Sequence, residues 1–189
     1  MLTPNTFRAT EWIAQNTCGG TELLSEAQDA IASFTTMWNF FESTLCANHA
    51  SVTAFERVCE RFQTDQVLPA TMETLDECLA FWRRRYITAE GFTQRFNGLH
   101  FRLRDRKEHV EAVLQGVVAE PTAKLLTLMI ITYRLRNNLF HGLKTIDMLN
   151  DQVQNLDNAS RCLAAVLEAI PSRFVTVRHV REENLGATQ

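Results

Sequence analysis

Glycine and proline are scarce in this chain, 7 and 4 among 189 residues, so long stretches run without punctuation. No segment alternates apolar and polar residues over a strand's length, which leaves helix as the structure most of the chain supports. The longest uncharged run near the most apolar segment, Leu125 to Tyr133, lies between Lys124 and Arg134. It has about half the length a membrane helix requires. No basic region leading into an apolar stretch opens the sequence, so no membrane association is expected. The five cysteines, at 18, 46, 59, 78 and 162, form no C-x-x-C pair, and an odd number cannot all pair within one chain. They read as reduced thiols in structural roles, in a cytoplasmic protein. Glycine-rich phosphate loops, G-x-S-x-G and H-E-x-x-H are all absent, and no metal or other cofactor is expected.

The chain does have segregated charge. Residues 1–80 hold 3 basic and 11 acidic groups, residues 81–144 hold 12 and 5, and residues 145–189 hold 4 and 6. The net charges are −8, +7 and −2, so an anionic partner belongs with the middle third. Within that third, Phe81 to Lys107 carries 8 basic against 2 acidic residues, interleaved with Phe81, Trp82, Tyr86, Phe92, Phe96 and Phe101. Aromatic rings can stack on bases while arginines hold phosphates, as single-stranded RNA binding uses them. The same rings can be core, and core is the expected place of those at 81, 82, 92, 96 and 101. Arg83, Arg84 and Arg85 span about 200° of a helix, so at least one side of that helix faces solvent or a partner.

Length fits one domain with a short extension: an extension over 1–20, a helical domain over 21–171 and a charged tail over 172–189. Ser25 and Gln28 suggest a capping box for a helix to about residue 47, with Ile31, Phe34, Trp38, Phe41 and Leu45 on its buried face. Further helices are expected near 51–62, 71–86 and 104–118, with Thr88 to Leu103 unassigned. Pro121 starts a central helix to about 141, and Gly142 is its natural stop. A last amphipathic helix runs from Thr145 to Ile170, closed by Pro171. The fold class is all-α, a compact multi-helix bundle.

The central helix ends in "RNNLFHG", an arginine, two asparagines and a histidine on an otherwise apolar element. Arg136 and His141 are five residues apart, about 140° around an ideal helix, whereas Asn137 and His141 share a face. For Arg136 and His141 to act on one substrate, the helix must deform near Gly142 or a second copy must complete the site. This pattern, R-x4-H with Asn after Arg and Gly after His, resembles the signature of the HEPN superfamily. The segment "FTTMWNFFESTL", an aromatic stripe followed by Glu42, is similar to the first long helix of its Apea-like group.

The resemblance implies an all-helical domain that cleaves RNA without metal across a homodimer interface. Toxin and antiviral-defence roles, with an antitoxin or sensor partner, come with it. In that scheme His141 is general acid or base, Arg136 clamps the phosphate and Asn137 orients His141 or the phosphate, with Glu42 in support. Histidine titrates near neutrality and arginine is a fixed two-pronged donor, so the residues suit attack by a 2′-hydroxyl. Arg83, Arg84, Arg85, Arg102 and Arg104 are the expected RNA-binding groups. A second reading stands beside this one: a catalytically silent HEPN-like module that binds RNA or a protein.

Overall fold

The computed structural model describes residues 7–141 and 145–172. The aromatic stripe folds as expected into a long helix, α2 (Ser25–Leu45), after a first helix α1 (Ala9–Asn16) that buries none of its residues. Phe34, Trp38, Phe41 and Leu45 are buried along one face of α2. Then come α3 (Val52–Cys59) and α4 (Pro69–Tyr86), in which Pro69 is the first helical residue, two residues before the predicted start. The unassigned region contains a two-stranded hairpin and a single helical turn. Strand β1 (Ile87–Thr88) pairs antiparallel with β2 (Gly91–Phe92), Ile87 opposite Phe92, and α5 (Gln94–Asn97) follows. The φ of 115° at Gly91 is a conformation that glycine adopts at little cost.

The chain continues into α6 (Lys107–Gln115) and the central α7 (Pro121–His141), then α8 (Ile146–Asn150) and α9 (Val153–Ala169). Every residue of α7 from Leu125 to Thr132 is buried, because the helix packs against α3, α4, α6 and α9. In turn α9 lies along α2 and α4. The fold is an all-α bundle. No described helix is long and apolar enough to cross a membrane.

Two local expectations are corrected. Ser25 makes no capping bond: Leu24 holds the N-cap position, its N–H donates to Asn150 Oδ1 at 3.0 Å, and Asn150 Nδ2 donates to Glu22 O at 2.9 Å. A residue distant in sequence satisfies the helix entry instead. That same tether belongs to the second correction, for the single helix expected from Thr145 is two helices separated at Asp151 and Gln152. The rings from 81 to 101 take the core placement expected of them, as a packed ladder and not a base-stacking platform. Trp82 and Phe96 are fully buried, and ring contacts link Phe81, Trp82, Tyr86, Phe96, Phe92 and Phe101 at centroid distances of 4.3 to 5.8 Å. The expected stop at Gly142 and the tail from 173 onward lie outside the described residues.

An ion pair that sequence reading missed joins this basic segment to α7. The Arg134 guanidinium, 3% exposed, lies 3.1 Å from the Asp105 carboxylate, 8% exposed. Its Nε donates to Leu99 O at 3.0 Å and its Nη2 to His100 O at 2.6 Å, while Asp105 also accepts from the Arg102 N–H at 2.7 Å. Burial lowers the Arg134 pKa and Asp105 opposes that shift. Removing one member leaves the other charged and buried, so Arg134→Met is expected to destabilise the fold by about 3–5 kcal/mol, measured by urea denaturation. The double change Arg134→Met with Asp105→Leu should recover most of that loss.

Candidate functional site

The site grows from the last two turns of α7. Arg134, Leu135 and Asn137 pack this part of α7 into the bundle, and the residues beyond them project from it. Arg136 is half-buried, with its guanidinium carbon 5.8 Å from the centre of the Trp38 ring and 5.1 Å from that of Phe140. Such positions over aromatic faces attract a cation without neutralising it. Nη1 donates to Asn137 Oδ1 at 3.3 Å, and the buried Nε has no partner among the described residues. Nor does any described carboxylate pair with Arg136.

Trp38 is itself held in place. Its ring stacks on Tyr133 at 6.0 Å, and its Nε1 donates to Glu42 Oε2 at 2.9 Å, one turn along α2. Glu42 Oε1 accepts from the Ala50 N–H at 3.0 Å, just after Ala47 and Asn48 turn the chain through positive φ. Glu42 is therefore not the ion-pair partner of Arg136. It fixes the indole on which Arg136 rests.

His141 is exposed on the final described turn of α7. The helix stays regular up to it, so a single copy does not bring Arg136 and His141 onto one face. Asn137 shares a face with His141 but gives its amide oxygen to Arg136, and it is 7% exposed. Two roles are expected of Asn137, orienting His141 or the phosphate, and no described hydrogen bond joins it to His141. Asn138 Nδ2 is committed to Gly98 O at 2.9 Å.

The triple arginine divides three ways. Arg83 Nη2 donates to Val113 O at 2.9 Å, which ties α4 to α6 and makes this residue a structural one. Arg84 is exposed, as are Arg102 and Arg104 in the loop before α6. Arg85 is half-buried and lines a cleft with Arg95, a residue that the sequence did not single out. The cleft's only signal in the sequence is the basic character of the whole segment.

Burial, with Glu42 adding to it, pushes the Cys46 thiol up to about 12, and burial with Glu56 does the same for Cys59. Both thiols stay protonated at neutral pH and are poor nucleophiles. Among the described residues, no three His, Cys, Asp or Glu side chains gather as a metal's ligands would.

A cation kept half-buried with an unpaired Nε contributes little to stability. Arg136→Met keeps an extended side chain against Trp38 and Phe140, and its melting temperature should match the wild type within the equivalent of about 1 kcal/mol. A loss of several kcal/mol in a thermal melt would assign Arg136 a structural role.

No family model matches this chain, and no curated protein or solved structure shows significant similarity to it.

Proposed function

We propose that this chain is a metal-independent endoribonuclease of HEPN type, active as a homodimer. The observation that carries the reading is Arg136: a cation braced by Trp38 and Phe140, paired with no described carboxylate, five residues from an exposed histidine. Arg136 from one copy holds the scissile phosphate as two parallel N–H donors. His141 takes the proton from the ribose 2′-hydroxyl or gives one to the departing 5′-oxygen. Asn137 orients the guanidinium, and Glu42 orients the indole beneath it.

The second copy enters because α7 aims Arg136 and His141 about 140° apart. A two-fold axis near the α7 ends would set the arginine of one copy beside the histidine of the other. Phe140, 50% exposed on α7, and Phe40, 44% exposed on α2, are apolar groups that such an interface would cover. RNA would approach over Arg84, Arg102 and Arg104, all exposed. Restraint by an antitoxin or sensor, and a role in defence, belong to the same reading.

A second reading is supported by His141, whose ring no hydrogen bond fixes among the described residues. In that case the chain is a silent HEPN-like module that binds RNA, or an acidic protein, through the same basic surface.

One experiment separates the two. Purified protein is incubated with mixed RNA in excess chelator, and fragments are resolved on a gel. Under the nuclease reading, His141→Ala and Arg136→Ala each lose about 10² to 10⁴ in rate while keeping wild-type helicity by circular dichroism. Light scattering at micromolar protein should give a dimer. Intact RNA in the wild-type lane, despite measurable binding, would leave the silent module.

A second measurement concerns the exposed arginines. Replacing Arg84, Arg102 and Arg104 with glutamine should weaken RNA binding and make its salt dependence shallower, by roughly 0.7 for each phosphate of a single strand that the variant no longer neutralises. Unchanged affinity would move the RNA path elsewhere.

A further inference from the structure

A cleft of about 330 Å³ opens between the end of α4, the α5 turn, α7 and the junction of α8 with α9. Its floor is apolar, made by Tyr86, Leu99, Leu135 and Leu156, each no more than 7% exposed. Two guanidiniums, Arg85 and Arg95, stand on its wall, and neither is in an ion pair among the described residues. No described carboxylate lines the cleft; Glu26 and Asp151 border only the adjoining outer groove, which the same two arginines share. Burial lowers the Arg85 pKa, the nearby Arg95 charge lowers it further, and Tyr86 and Asp151 oppose the shift. Neither Glu26 nor Asp151 forms an ion pair with them, and two like charges held together in this way attract an anion.

The other wall supplies an independent observation. Asn155, in the first turn of α9, is 4% exposed and lines the cleft. Its Nδ2 donates to Gln152 Oε1 at 2.9 Å, but its buried Oδ1 has no partner among the described residues. A buried amide oxygen without a donor is costly, and a ligand N–H or O–H would satisfy it. The positive end of the α9 dipole opens on the same space.

We infer that this cleft binds a nucleoside phosphate: Arg85 and Arg95 hold the phosphate, the apolar floor takes the nucleoside, and Asn155 Oδ1 accepts a hydrogen bond from it. Bare phosphate would leave most of the volume and the apolar floor unused. A compact apolar body with an anionic end fills a small ligand pocket of this kind. The shared chemistry is a phosphomonoester on a nucleoside, whether a free nucleotide or the end of an RNA strand. The cleft uses neither Arg136 nor His141, so this inference does not rest on the nuclease reading.

The test is calorimetric titration of the full chain, in phosphate-free buffer, with AMP, UMP, adenosine and inorganic phosphate. A nucleotide of this size in a cleft with two cations should bind with Kd between about 10 μM and 1 mM, more tightly than adenosine or inorganic phosphate. Arg95→Ala, a change at an exposed side chain, and Arg85→Gln should each weaken it by about tenfold or more. Arg57→Ala, which removes an exposed cation from α3, should not. Displacement of AMP by a 5′-phosphorylated tetranucleotide, with the 5′-hydroxyl form inert, would assign the site to a strand end; failure of both would assign it to free nucleotide. No binding of either nucleotide at millimolar concentration would overturn the inference. So would inorganic phosphate binding as tightly as AMP, or equal losses in Arg57→Ala and Arg95→Ala.

Discussion

The buried pair between Arg134 and Asp105 is the constraint on which the arrangement of this molecule depends. Two charges withdrawn from water are tolerated only with close geometry and further hydrogen bonds. Here the guanidinium also serves the Leu99 and His100 carbonyls, and the carboxylate serves the Arg102 N–H. This pair orders the loop between α5 and α6 against α7, although His100 and Arg106 adopt left-handed backbone conformations. One wall of the cleft is therefore fixed relative to the helix that ends in Arg136 and His141. The exposed Arg102 and Arg104 take their positions from the same loop.

A second set of contacts works in the same way around the motif. Both oxygens of the Glu42 carboxylate are engaged, by the Trp38 indole and the Ala50 N–H, and no described cation pairs with it, so it orients an aromatic surface and does not neutralise a charge. Arg136 rests between that surface and Phe140. Cation–π contact in a half-buried setting positions a guanidinium while leaving its charge available. Arg134 and Arg136, two residues apart on one helix, illustrate the difference: one is paired and structural, the other braced and unpaired.

The basic segment combines three roles under one composition. Its aromatic rings pack into the core, Arg83 ties α4 to α6, and the remaining cations divide between open surface and the cleft shared by Arg85 and Arg95. An excess of positive charge locates an anionic partner to a region but not to a groove. Burial and hydrogen bonding decide which cations remain for it.

Sequence alone determined the helical class and most helix positions, because spacing of apolar residues at three and four is dictated by the 3.6-residue turn. Phe34, Trp38, Phe41 and Leu45, and the start of α7 at Pro121, follow from that local rule. It also drew attention to Arg136, Asn137 and His141, since polar residues at the end of an apolar helix need a reason. What only the tertiary structure decided depends on residues far apart in the chain. Asn150 holds the entry of α2, Asp105 neutralises Arg134, and Asn137 turns to Arg136 rather than to His141. The cleft was not legible because its lining comes from four separate segments, and no periodicity within one segment records what another segment brings to it.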